Sequence, residues 1–125
     1  VIVGLGIDVI EIARLADALA RHGKHFEERV FTDGELTSCR GRGDRVLALA
    51  ARFAAKEACM KALGTGWAEG VGFRDIEVVR DGNQPPRLVL HNEAARRAES
   101  QGVVRTHVSL THQPGLAAAV VVLES

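Results

Sequence analysis

Tyrosine is absent from this chain, and tryptophan occurs once in 125 residues. With four phenylalanines as the only other aromatics, a platform on which nucleobases stack is not expected. Cysteine is nearly as scarce. Cys39 and Cys59 are too few for a disulfide framework, and their separation fits no short metal-binding spacing. A reducing cytoplasm is the simplest expectation. Charge of one sign is also missing. Sixteen basic residues balance sixteen acidic ones, which removes a bulk electrostatic grip on nucleic acid or an anionic membrane. The longest apolar run, Leu116 to Leu123, is too short to cross a bilayer. The opening Val1-Ile2-Val3-Gly4 has no basic n-region, so no signal peptide is expected.

What remains is a globular composition on a length that suits one domain, residues 1–125, with no repeat, low-complexity tract or linker. Residues 1–12 read as a buried β-strand, with Gly4 and Gly6 marking a bulge or a close backbone approach. Helical spacing over 13–22 ends at Gly23, and residues 25–31 read as a short helix or turn. Thr32-Asp33-Gly34-Glu35 is a capping box opening a short helix that runs out in the basic loop Cys39–Gly43. Asp44 is expected to cap the long Ala-rich helix 45–63, which Gly64 ends. A glycine-rich loop follows over 64–73, then a hairpin of strands 74–81 and 86–91 turning at Asp81-Gly82-Asn83. A helix over 92–101, a strand over 103–111, a Gln113-Pro114-Gly115 turn and a strand over 116–124 complete the chain. The pattern is α+β: a small antiparallel sheet packed with one long and several short helices.

Few residues carry chemistry. Two of the three lysines, Lys56 and Lys61, sit on the long helix of a chain that otherwise uses arginine. Glu57 and Lys61 share a helical face, either as a surface ion pair or as part of a site. Gly64-Thr65-Gly66 offers backbone N–H groups to phosphate, although Gly64 also serves simply as a helix cap. Asp8 is an acid inside an apolar strand. It needs an arginine, a turn or a metal. With Glu57 it supplies two carboxylates, too few for a closed protein cage but suited to Mg²⁺ shared with a substrate phosphate. At the end of the 103–111 strand, alternation puts Ser109 and Thr111 on one face and Leu110 and His112 on the other. No strand–turn–helix elbow surrounds Ser109, so a nucleophilic role for it is weak.

Four blocks occur in order: Asp8 in GIDVIEIAR, FTDGE at 31–35, ARFAAKEACMKALGTG at 51–66, and SLTH at 109–112. Together they resemble the holo-[acyl-carrier-protein] synthases, the small-type 4′-phosphopantetheinyl transferases, over nearly the whole chain. The resemblance implies that fold, and the transfer of 4′-phosphopantetheine from coenzyme A to a serine of apo acyl carrier protein. Adenosine 3′,5′-bisphosphate is the implied by-product. It implies Mg²⁺ on Asp8 and Glu57, Lys61 at the phosphate under attack, and Lys56 in the same phosphate-facing cluster. Gly64, Thr65 and Gly66 would line the nucleotide and pantetheine path. Ser109 and His112 would reach coenzyme A from a neighbouring subunit of a homotrimer. Arg14 and Arg21 on the first helix would meet the acidic carrier. Glu57 is the expected base for the serine, directly or through a metal-bound water. The related larger transferases carry a further acid two residues after the first metal acid, where Ile10 stands here, and the fourth block has Thr-His where Ser-His is common. Two other readings stand beside this one: a different small Mg²⁺-dependent enzyme of phosphorylated metabolites, and a coenzyme A or nucleotide-binding regulatory module without transferase activity.

Overall fold

The computed structural model describes residues 1–65 and 70–125. In chain order its elements are β1 (Ile2–Glu11), α1 (Ile12–Val30), α2 (Asp33–Cys39), α3 (Arg45–Leu63), a 3₁₀ turn (Phe73–Asp75), β2 (Ile76–Val79), β3 (Arg87–Leu90), α4 (Asn92–Ser100), β4 (Arg105–Gln113) and β5 (Leu116–Glu124). The strands form a three-stranded antiparallel sheet ordered β1-β5-β4 and a β2-β3 hairpin. The class is the expected α+β. The segments expected as a helix and a separate turn join into α1, which breaks at Gly23 (φ 52°, ψ −131°), a conformation that suits glycine.

The capping box forms as the sequence predicts. Thr32 Oγ1 accepts from the Glu35 amide at 3.2 Å, and Glu35 Oε1 accepts from the Thr32 amide at 2.9 Å. Asp44 differs from expectation. It precedes α3, but its carboxylate takes two 2.8 Å hydrogen bonds from Arg42 and makes no cap bond. A bidentate guanidinium is the stronger partner for an exposed carboxylate.

Helix α3 is the core. It lies across the inner face of the sheet, burying Ala54, Ala55, Ala58 and Ala62. Small residues on both sides bring β1 unusually near. A Cβ on Gly6 would stand 1.8 Å from the Ala58 carbonyl oxygen, and one on Gly4 2.2 Å from that of Ala62. The strand therefore needs glycine at both positions, and this approach brings Asp8, on the same inward row as Gly6, alongside α3.

The outward row of β1 corrects the expectation of a buried strand. Leu5, Ile7 and Val9 are 64%, 63% and 58% exposed. They stand opposite Val122, Val120 and Ala118 of β5, so an apolar sheet face is open to solvent in the single chain.

Candidate active site at the meeting of the first strand and the long helix

Asp8 comes from the strand, Glu57 and Lys61 from successive turns of α3. Lys61 Nζ does not pair with Glu57. It lies 3.1 Å from Asp8 Oδ1 and donates to the Ile7 carbonyl at 3.0 Å. Its side chain is half exposed, whereas that of Asp8 is largely covered.

Glu57 faces the same cleft, of about 370 Å³, which Asp8, Ile10, Arg14 and Phe53 also line. Among the described residues no donor reaches its carboxylate. Burial, and then the nearby charge of Asp8, pushes the Glu57 carboxyl above the ordinary glutamate range; Lys61 opposes this only in part. Two carboxylates crowded together, one without a partner, form a site short of positive charge. Among the described residues no group of three or more metal-ligating side chains exists. The pair therefore suits an ion that keeps waters and takes other oxygens from a phosphate, as Mg²⁺ does. Ile10 adds no ligand.

Lys56 is not part of this cluster, contrary to the expectation of a phosphate-facing lysine. It is fully buried, forms an ion pair with Glu35 at 2.6 Å, and donates to the carbonyls of Phe73 and Ile76. Lys56 and Glu57 are adjacent in sequence, and the roughly 100° turn per residue sends their side chains different ways. Gly64 ends α3 in the left-handed conformation (φ 73°), and the Thr65 amide donates to the Met60 carbonyl at 3.0 Å. Thr65 is buried, its hydroxyl turned back toward that carbonyl. Gly66 lies outside the described residues.

Ser109 and His112 are not brought to Asp8 and Glu57 within one chain. Ser109 lies on the outward sheet face opposite Val120. His112 lines a different cleft, of about 240 Å³, together with Arg42, Arg52, Arg80 and Val78. The informative residue there is Arg52, which helical spacing places on one edge with Lys56 but to which the sequence assigns no role. Only 6% exposed, it donates to the Ala48 carbonyl at 3.1 Å and Ser38 Oγ at 3.3 Å, while its Nε has no partner. Among the described residues no carboxylate forms an ion pair with it. A buried cation with an orphaned N–H, beside Arg80, His112 and an Arg42 already paired with Asp44, suits a phosphate. Its sequence context, an arginine in an Ala-rich helix, gives no sign that it faces inward.

Of the two first-helix arginines, Arg14 lines the Asp8–Glu57 cleft, whereas Arg21 pairs with Asp17 at 3.1 Å on the surface. Below α2, Glu77 links two elements: its Oε2 accepts from Thr32 Oγ1 at 2.8 Å, and its Oε1 lies 2.9 Å from His91 Nε2. Burial alone would raise the Glu77 carboxyl, but the hydrogen bonds with His91 and Thr32 outweigh it and hold the group below the ordinary glutamate range. A lowered carboxyl pKa adds stability above the unfolded value and loses it as pH falls through the folded one. Glu77→Gln should therefore be less stable than the native chain at pH 7, by about 1 kcal/mol. The gap should narrow as pH falls below the ordinary glutamate value. Urea unfolding at pH 7 and pH 3.5 checks this; a gap equal at both would disprove it.

The chain matches the model of the 4′-phosphopantetheinyl transferase superfamily over residues 4–121. It belongs to that superfamily. It is 51% identical over 124 residues to a holo-[acyl-carrier-protein] synthase of Nitratidesulfovibrio vulgaris, covering 99% of each chain. It is 50% identical over 128 residues to one of Methylobacterium radiotolerans, covering 99% of this chain and 94% of the other. A crystal structure of the Neisseria meningitidis synthase superposes with a TM-score of 0.90 at 34% identity, covering 100% of both chains. The Helicobacter pylori synthase in complex with coenzyme A superposes with a TM-score of 0.82 at 30% identity, covering 96% of this chain and 99% of the other. The fold expected from the four sequence blocks is thus the one observed, and the chain is a phosphopantetheinyl transferase of the holo-[acyl-carrier-protein] synthase kind.

Proposed function

We propose that residues 1–125 act as one transferase domain. It moves 4′-phosphopantetheine from coenzyme A to a serine hydroxyl of apo acyl carrier protein and releases adenosine 3′,5′-bisphosphate, with Mg²⁺ held by Asp8 and Glu57. The observation that carries this reading is the crowded Asp8–Glu57 pair with Lys61 at its mouth. A binding module without catalysis has no need of a half-buried carboxylate left unpaired. Bound there, Mg²⁺ supplies charge neutralisation at the pyrophosphate oxygens. The residues of the chain do the rest. The half-exposed Lys61 ammonium turns from Asp8 to the phosphate under attack. Glu57, made more basic by its surroundings, accepts the serine proton, directly or through a water. The serine oxygen forms the new P–O bond as the bond to adenosine 3′,5′-bisphosphate breaks and the leaving oxygen takes up the negative charge. A largely apolar cavity of about 520 Å³, sharing Phe26 and Phe53 with the acid cleft, suits the pantetheine arm, which Gly64 and Thr65 would also approach.

The adenosine bisphosphate end is read as lying in the arginine cleft with His112 and Arg52. Among the described residues that cleft and the acid cleft share no lining residue, and one coenzyme A is taken to bridge two subunits. The open apolar face of β1 and β5, with Ser109 beside it, fits further copies of this chain, assembled as a homotrimer. Sedimentation should return three times the 13.4 kDa chain mass. Ile7→Asp is expected to yield a folded monomer with transfer reduced at least about 100-fold, because a charge in an apolar interface cannot be desolvated cheaply. A trimeric variant, or a fully active monomer, would refute this.

Arg14 is read as part of the carrier's landing site. The surface ion pair of Arg21 leaves it a weaker contributor. Arg14→Glu should raise the KM for the acidic carrier about 10-fold, and more than the KM for coenzyme A, while flattening the salt dependence. An unchanged carrier KM would place docking elsewhere. No described helix is long and apolar enough to cross a membrane, and the cytoplasm is the proposed compartment.

The deciding experiment is intact-protein mass spectrometry of an apo carrier protein after incubation with this chain, coenzyme A and Mg²⁺. A gain of about 340 Da that EDTA abolishes supports the reading. No gain with several fatty-acid and polyketide carriers, despite coenzyme A binding, would favour the binding module.

A further inference from the structure

Glu35 and Lys56 are 1% and 0% exposed, which makes them the most deeply buried charges among the described residues. Lys56 spends its three donors on Glu35 Oε1 at 2.6 Å, the Phe73 carbonyl at 3.1 Å and the Ile76 carbonyl. The ammonium also stands 5.7 Å from the Phe31 ring centroid. Glu35 accepts from the Thr32 amide at 2.9 Å on Oε1 and from the Val78 amide at 2.8 Å on Oε2. One ion pair thus ties the start of α2, the middle of α3, the 3₁₀ turn and β2.

Stability alone does not explain such a pair. Removing two charges from water costs much of what their attraction returns, and apolar residues of equal volume serve packing as well. The pair adds direction: β2 is gripped at Ile76 and Val78, two fixed points on one short strand. Val78 and Arg80, on either side of the last β2 residue, line the arginine cleft, and Arg52 faces them from α3 one turn before Lys56. Ser38, one turn after Glu35 on α2, accepts from Arg52. The α3 and β2 sides of the cleft are therefore both indexed to α2, while the end of β4 with His112 closes it from a third side. Neither Glu35 nor Lys56 bonds to Asp8, Glu57 or Lys61, whose approach is set instead by the glycines of β1.

We propose that Glu35 and Lys56 are positioning residues for the arginine cleft, fixing β2 against α3 so that the nucleotide end of coenzyme A binds tightly. This rests on the reading of that cleft given above. Its test removes both charges together, because a single substitution would leave one buried ion unpaired. In Glu35→Gln/Lys56→Met, the dissociation constant of adenosine 3′,5′-bisphosphate by calorimetry and the KM for coenzyme A should each rise about 10-fold. Turnover at saturating coenzyme A should stay within about twofold, with the oligomer unchanged. A lowered melting temperature with nucleotide affinity intact would mean a purely structural pair and overturn the proposal, as would lost turnover at unchanged affinity. Should the double variant not fold, Glu35→Asp keeps both charges and shortens the reach by one methylene. The same rise in KM is expected of it, and an unchanged KM is again fatal. If the native chain binds the bisphosphate but transfers nothing, the function proposed above fails, while the calorimetry still decides the role of the pair. If it binds no bisphosphate, both fall.

Discussion

Glu57→Gln should lower turnover by about 10²- to 10⁴-fold while the dissociation constant for coenzyme A moves only a few-fold. The amide keeps the volume of the carboxylate and loses both its charge and its basicity. Lys61 and the arginine cleft, the proposed contacts to the donor, are left untouched. Stability should move the other way. A raised carboxyl pKa means that ionising Glu57 works against the fold, so stability is lost as pH rises from the ordinary glutamate value through the raised one. Without added divalent cation, the variant should melt above the native chain at pH 7, and the gap should vanish at low pH, where Glu57 is protonated. Mg²⁺ should raise the native melting temperature and leave that of the variant nearly unmoved, because a ligand stabilises only the form that binds it. Calorimetric scans with and without Mg²⁺ and single-turnover assays read all of this. Near-native turnover would remove Glu57 from the mechanism. An equal Mg²⁺ shift in both proteins would place the ion elsewhere.

The acid cleft was legible in the sequence because its parts are locally anomalous: an acid inside an apolar strand, and glycines where a strand favours branched side chains. The helix ends were legible for a similar reason. Thr32 and Glu35 cap α2 within four residues, and Gly23 and Gly64 take conformations that other residues avoid. Lys56 was misread because its fate depends on Glu35, 21 residues earlier, and on two carbonyls near position 75. No spacing rule within a helix says which of two neighbouring charges turns inward. Asp44 was misread as a cap because Arg42, two residues away, competes for its carboxylate more strongly than an amide does. The buried reading of β1 failed on its outward row because the run of Val, Ile and Leu carries no sign of what covers it. A strand that is apolar on both faces reads alike whether its second layer is its own chain or another copy.

Arg52→Met should do at the other cleft what Glu57→Gln does at the first. The guanidinium is buried, forms no ion pair among the described residues although Asp44 lines the same cleft, and has an unmet Nε–H. Such a group costs about 1–3 kcal/mol of stability. Methionine fills much the same space without that cost, although it gives up the bonds to Ala48 and Ser38. The variant should therefore be no less stable than the native chain in the absence of ligand. Its KM for coenzyme A should rise about 10- to 100-fold, the loss expected when a phosphate forfeits one charged donor. Dephospho-coenzyme A, which lacks the 3′-phosphate, should discriminate far less between the two proteins. If the variant melts lower and its KM is unchanged, Arg52 serves packing, and the nucleotide end lies elsewhere. The two experiments together test one physical idea. The chain balances its charge overall, yet among the described residues it leaves a carboxylate without a donor in one cleft and a buried guanidinium N–H without an acceptor in another. A ligand with a divalent cation on its pyrophosphate and a separate 3′-phosphate on its ribose would satisfy both. Among the described residues the two clefts share no lining residue, and a coenzyme A that bridges two subunits as proposed should make assembly and binding interdependent: dilution to monomer should weaken coenzyme A, and coenzyme A should oppose dissociation.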